Sequence, residues 1–396
     1  MGLIVLSVLG LPVLAFIFTG WEVASLTVGN CERDNMKRSM QRRPFLKASL
    51  GATAFAAAWP CARALGESNT LRAAAATRNV LAGSAVSNSQ LHDPAVAAML
   101  TEQCGILVAE NEMKWRHIHP EPDRYDFTAA DELMAFATNN AMLLRGHNLC
   151  WHDAQPPWLD LLATRSNAAR LLEQHIRTVV GRYTGHIHSW DVVNEAIELK
   201  DGQPGGLRDT LWYQLLGERY IEVAFAAAAQ ADPKSLLTYN DYGLEEAGPW
   251  HDARRAVALA LLRWMRLNNI PIHALGLQSH LTAHYDELPN WIGLHGFLKR
   301  VEELDLQVFV TELDVNDSEL DGNIEKREKE AAWLCQDYLK NVLKHPHVTA
   351  VLTWGSVSHG SYGNPDPLRG HRALPFDESL RPTPFLTAML KAIRKR

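Results

Sequence analysis

Two segments of this 396-residue chain place a glutamate directly after an apolar run: Trp190-Asp191-Val192-Val193-Asn194-Glu195 and Val308-Phe309-Val310-Thr311-Glu312-Leu313-Asp314. A pair of carboxylates is the minimum equipment for cutting a glycosidic bond, because one protonates the departing oxygen while the other meets the anomeric carbon. The two must differ in acidity. The acid has to keep its proton near neutral pH, and its partner has to stay ionised. Either glutamate alone would pass for a helix cap or a solvated side chain, so the pair gains meaning only if the fold brings positions 195 and 312 together.

Eight short apolar segments can do that: residues 80–86, 105–110, 141–147, 187–195, 236–240, 274–279, 306–312 and 349–354. Between them lie amphipathic stretches such as 167–183, 212–230, 250–268, 292–303 and 325–344, with apolar residues spaced three and four apart. Strands apolar on both faces imply a parallel sheet covered by helices, and eight strand–helix units close into a (β/α)8 barrel. From Thr70 onward there is no linker, low-complexity stretch or long repeat, so residues 65–396 are expected to form one catalytic domain. Several strands end in clusters of Glu, Asn, His, Gln or Asp. In a barrel these C-terminal strand ends converge on one rim, where such folds build their active sites.

The polar clusters also carry a resemblance. Glu110-Asn111-Glu112-Met113-Lys114-Trp115, Arg145-Gly146-His147-Asn148-Leu149-Cys150-Trp151-His152, the segment from Trp190 to Ala196, Tyr239-Asn240-Asp241-Tyr242, Gly276-Leu277-Gln278-Ser279-His280, Thr311-Glu312-Leu313-Asp314 and Thr353-Trp354-Gly355 follow one another in the order of the strand-end motifs of glycoside hydrolase family 10. The chain resembles that family over about residues 80–385. The resemblance implies a retaining endo-β-1,4-xylanase with Glu195 as acid/base and Glu312 as nucleophile. It further implies that His280 hydrogen-bonds the nucleophile with Asp314 holding its ring, that Asn194 binds the sugar 2-hydroxyl at the cleavage point, and that Gln278 stands nearby. Tyr242 would line the leaving-group side, Glu110, Asn111, Lys114, His147 and Trp151 the glycone side, and Trp354 would stack on the sugar. Sibling specificities on the same scaffold are a β-1,4-glucanase or an exo-acting xylanase. A non-catalytic sugar-binding protein is disfavoured by the intact glutamates.

One segment departs from the family pattern. After Trp354-Gly355 the family continues with an acidic residue and a second tryptophan, whereas this chain has Ser358 and Tyr362 at those places. The change bears on glycone preference, not on reaction type.

A formal net charge of -6 gives no sign of a polyanionic partner, and nucleic acid is set aside. The expected partner is xylan or xylo-oligosaccharide, bound by a monomer without an obligatory protein partner. No HExxH motif, facial triad or nucleotide loop occurs, so neither metal nor cofactor is expected. Residues 1–64 read as a leader. Residues 36–64 combine a basic Arg42-Arg43-Pro44-Phe45-Leu46-Lys47 core, an Ala-rich apolar run and the small-x-small run Ala62-Arg63-Ala64, which resembles a twin-arginine export signal. Residues 1–35 read either as an over-extended start or, through the apolar residues 3–18, as a membrane anchor. A periplasmic or extracellular location follows from such a leader. Of five cysteines, Cys104, Cys150 and Cys335 lie in the body without metal-ligand spacing and are expected to be small buried hydrophobes.

Overall fold

The computed structural model describes residues 69–284, 289–358 and 372–396; the leader 1–64 and Tyr362 lie outside the described residues. The strands are β1 Leu81–Val86, β2 Ile106–Ala109, β3 Leu143–Cys150, β4 Ser189–Asn194, β5 Leu236–Asp241, β6 Ala274–Leu277, β7 His280–Thr282, β8 Gln307–Asn316, β9 Val348–Thr353 and β10 Arg372–Ala373. β1 to β6 pair in parallel in sequence order, β6 continues to β8, β8 to β9, and β9 returns to β1. This is the closed eight-stranded parallel barrel that the apolar segments predict, with helices between the strands. β7 and β10 are additions that pair with the long upper part of β8.

The period-two alternation of a strand divides the apolar side chains into two layers. Ile106 and Val108 of β2 and Phe309 of β8 join Ala85, Ala274, Ala350 and Leu352 in a small cluster inside the barrel. Their neighbours Leu107, Ala109, Val308 and Val310 face the larger cluster under the helices. Helix Ala168–Arg182, for example, buries Leu172, Ile176, Val179 and Val180 there; each such side chain contributes roughly 1.5–3 kcal/mol. Three alanines in the inner cluster leave room for polar groups. The fully buried Arg145 of β3 reaches across the barrel to lie 5.5 Å from the ring of Phe309.

Two strands differ from expectation at the rim. The segment expected at 274–279 breaks after Leu277 and resumes as β7 at His280, and the segment expected at 306–312 runs on to Asn316. The break falls at Ser279, whose φ of 61° turns the chain out of extended geometry. β8 then exchanges β6 for β7 as its neighbour, pairing Val310 with Leu277 and Asp314 with His280. Cys104, Cys150 and Cys335 are free and buried. Among the described residues no helix is long and apolar enough to cross a membrane.

Candidate active site

Glu312 sits inside β8, not at its end, at an irregularity in the pairing with β9 between Val310 and Leu313. In a regular strand Thr311 and Glu312 would point to opposite faces. Here the extra twist of a bulge lets both touch the same side-chain amide. Thr311 Oγ1 donates to Asn240 Oδ1 at 2.8 Å, and Asn240 Nδ2 donates to Glu312 Oε1 at 2.7 Å. The other carboxylate oxygen, Oε2, lies 3.2 Å from His280 Nε2, and His280 Nδ1 lies 3.0 Å from Asp314 Oδ1. Burial alone would pull the His280 pKa down, but the facing carboxylates of Asp314 and Glu312 outweigh it and raise the ring to about 10. His280 is therefore a cation at neutral pH, pressed between two carboxylates. Glu312 itself is 5% exposed.

Glu195 follows β4 with φ 56°, and its N–H donates to Asn240 O at 2.9 Å. Its Oε1 accepts from Asn194 Nδ2 at 3.2 Å and Gln278 Nε2 at 3.0 Å. Asn240 Nδ2 also donates to Asn194 Oδ1 at 2.8 Å. Asn194, Asn240 and Gln278 thus form a continuous amide chain from Glu195 to Glu312. Gly276 makes this packing feasible, since a Cβ there would stand 2.1 Å from Asn240 Oδ1.

A second group flanks the pair. Lys114 Nζ donates to Asn111 Oδ1 at 3.1 Å and lies 5.1 Å from the Trp151 ring and 5.8 Å from the Trp354 ring. Burial pulls its pKa down, opposed by the negative charges of Glu312, Glu110, Asp153 and Glu195. Its charge therefore acts on both site glutamates. His147 packs edge-on to Trp354 at 5.2 Å and is held through Nδ1 by Asp191 Oδ2 at 2.9 Å. Glu110 closes β2, with its N–H on Val86 O at 3.0 Å. On the opposite flank Arg208 donates from Nε to Glu195 O at 2.9 Å and from a terminal nitrogen to Tyr242 Oη at 3.0 Å.

The structure thus gathers every site residue read from the sequence except Tyr362, which lies outside the described residues. Ser358 is buried and fastens the C-terminal segment: its N–H donates to Phe376 O at 2.7 Å, and its Oγ accepts from Leu374 N at 3.3 Å. Sequence reasoning passed over Asn240, the centre of the network, although an asparagine closing the strand segment 236–240 was a signal. It also passed over Arg208 and the buried Arg145–Asp191 pair that supports His147. Among the described residues no group of three or more His, Cys, Asp or Glu side chains could hold a metal ion.

A closed parallel barrel with two glutamates linked at its upper rim has the architecture of a barrel glycoside hydrolase. The model of glycosyl hydrolase family 10 matches residues 70–392, and the chain belongs to that family. It is 36% identical over 310 residues to a β-1,4-xylanase of Dictyoglomus thermophilum, covering 76% of this chain and 84% of that one. It is 34% identical over 293 residues to endo-1,4-β-xylanase B of Thermotoga neapolitana, covering 74% and 81%. Crystalline xylanase 10B of Thermotoga maritima superposes with a TM-score of 0.75 at 34% identity, over 82% of this chain and 98% of that one. The same enzyme from Thermotoga petrophila, in complex with xylobiose, gives a TM-score of 0.75 at 33% identity, over 82% and 97%.

Proposed function

We propose that this protein hydrolyses internal β-1,4-xylosidic bonds of xylan by double displacement, with Glu312 as nucleophile and Glu195 as acid/base. The observation that carries the assignment is the unequal treatment of the two carboxylates. Glu312 is nearly buried and both its oxygens face donors, one of them the His280 cation, which fixes the carboxylate in place for attack. Glu195 is more exposed and receives its amide donors on Oε1, which suits an acid that presents its other oxygen to the groove.

In the first step Glu312 attacks the anomeric carbon, the glycosidic C–O bond breaks, and the leaving oxygen takes the Glu195 proton. In the second, Glu195 removes a proton from water as that water displaces Glu312, regenerating both groups. Asn194 holds the sugar 2-hydroxyl, Lys114 with Asn111 and Glu110 binds the glycone, Trp151 and Trp354 offer stacking faces, and Tyr242 lines the leaving-group side. Xylan as substrate is supported by the activities of the relatives named above. Export is supported by the leader, whose Arg42-Arg43 core precedes an apolar run.

Retention requires the two carboxyl groups to be about 5–5.5 Å apart, and NMR of the first-formed product tests it. Product of the β configuration from xylo-oligosaccharide supports the double displacement; the α configuration refutes it. Glu312→Ala should abolish turnover of every substrate, whereas Glu195→Ala should spare glycosylation by aryl glycosides with good leaving groups. Initial rates on xylan, carboxymethylcellulose and aryl xylobioside decide between xylanase and glucanase.

A further inference from the structure

β7 is three residues long and, among the described residues, pairs only with β8, so main-chain N–H groups on its other side need acceptors from elsewhere. Two consecutive glutamates in the loop after β5 supply them. Glu245 Oε1 accepts from Ser279 N at 2.8 Å, and Glu246 Oε1 accepts from Thr282 N at 3.0 Å. Ser279 stands between the two side chains that serve the carboxylate pair: Gln278 donates to Glu195, and His280 faces Glu312.

We propose that Glu245, seconded by Glu246, is a positioning residue that sets the registration of Glu195 and Glu312 by clamping the main chain at Ser279. This inference rests on the reading of the two glutamates given above. The carboxylate of Glu245 is 2% exposed, and its second oxygen accepts from Leu244 N at 2.8 Å, so both oxygens hold main chain. Ser279 is held in its left-handed conformation from three sides. Its N–H meets Glu245, its carbonyl accepts from Asp314 N at 3.3 Å, and its Oγ lies 2.6 Å from Tyr338 Oη. A non-glycine residue at positive φ persists only where its surroundings over-determine it. Release of the Ser279 N–H would let the peptide rotate, swinging Gln278 and His280 together. Burial pushes Glu245 up to about 7 against its main-chain donors. A carboxylate kept in so unfavourable a place is consistent with a task that its reach performs.

The test uses the full-length protein and two variants, Glu245→Asp, which keeps the charge but withdraws it by one methylene, and Glu245→Gln, which keeps the reach. Glu245→Asp should lower kcat at least about tenfold on both xylan and aryl xylobioside, with KM changed less than about twofold. It should also lower the His280 pKa by about one unit, read by NMR of 13C-labelled histidines with His280→Asn for assignment. Glu245→Gln should lose less in both readouts. An unchanged His280 titration, or a Glu245→Gln loss as large as that of Glu245→Asp, overturns the inference. If the Glu245 variants do not fold, Tyr338→Phe tests the same clamp from the other side of Ser279. It should lower kcat about threefold together with the His280 pKa, and no change in either refutes the clamp. Wild-type inactivity on xylan, or an active Glu312→Ala, would instead sink the functional reading, while the His280 titration still reads the clamp.

Discussion

Replacing Asn240 by alanine should separate the carboxylate pair without touching either glutamate. Asn240 is fully buried, and its Nδ2 carries two hydrogens that are both used, one on Glu312 Oε1 at 2.7 Å and one on Asn194 Oδ1 at 2.8 Å. A hydrogen bond to a charged acceptor is worth about 1.5–3 kcal/mol. If Glu312 depends on that donor to stay in place through the attack, its loss corresponds to a fall in kcat/KM of roughly 10–150-fold, at about 1.36 kcal/mol per decade. Initial rates on aryl xylobioside from pH 4 to 9, with thermal melts in parallel, separate that loss from any change in stability. Asn240→Asp is the companion variant. It sets a carboxylate against Glu312 at the same 2.7 Å, where two like charges cannot both ionise, and activity should survive only toward acid pH. A kcat/KM for Asn240→Ala within threefold of wild type, or a loss seen only in the melting temperature, would show that Glu312 does not rely on this amide.

Gly276→Ala should act on the same centre from below, because its Cβ would lie 2.1 Å from Asn240 Oδ1 and 3.1 Å from Thr311 Cγ2; loss of activity in a folded variant, by circular dichroism and rates, is the expected result. Burial raises Asp241 to about 6, with Arg254 opposing, so the folded state binds the extra proton and stability should fall as pH rises from about 4 to 6; Asp241→Asn should flatten that part of a urea-midpoint profile. His280 acts with the same sign in a higher window. Its folded value near 10 means that the stability it adds is complete below about 6.5 and is lost as pH rises through 10, a loss that His280→Asn should remove. Asn194→Asp puts an oxygen 3.2 Å from Glu195 Oε1, and should lower the xylan rate more, relative to aryl xylobioside, than Asn194→Ala does.

The barrel was legible because its signal is cheap: eight apolar segments at regular intervals, each ending in polar residues. The convergence of residues 195 and 312 followed from that topology, since all eight strand ends share a rim. What stayed hidden depends on departures from regular strand geometry. Period-two reasoning places Thr311 and Glu312 on opposite faces, so Asn240 could not be seen as their common partner until the bulge was known. The break at Ser279 is equally silent in sequence, because a serine carries no mark of positive φ. Ser358 stands where the family pattern has an acidic residue, and nothing in that position shows that its polar atoms tie down the segment around Phe376. The packing of helix Pro384–Arg394 against Leu71–Ala76, reinforced by Arg394 on Asn69 Oδ1 at 3.1 Å, joins two segments more than 300 residues apart that no local pattern relates.

The amide chain between the carboxylates also fixes where a proton can sit. An ionised Glu312 can only accept, so the Asn240 amide must turn its nitrogen toward it and its oxygen toward Thr311. The remaining hydrogen on that nitrogen then meets Asn194, which must answer with its oxygen and is left with its nitrogen facing Glu195 Oε1. Gln278, donating to that same Oε1 at 3.0 Å, adds a second donor. With two N–H donors on Oε1, a proton on Glu195 is driven to Oε2. The ionised state of one glutamate thereby sets the tautomer of the other, and the polarity of the link is the one a proton donor opposite a nucleophile requires.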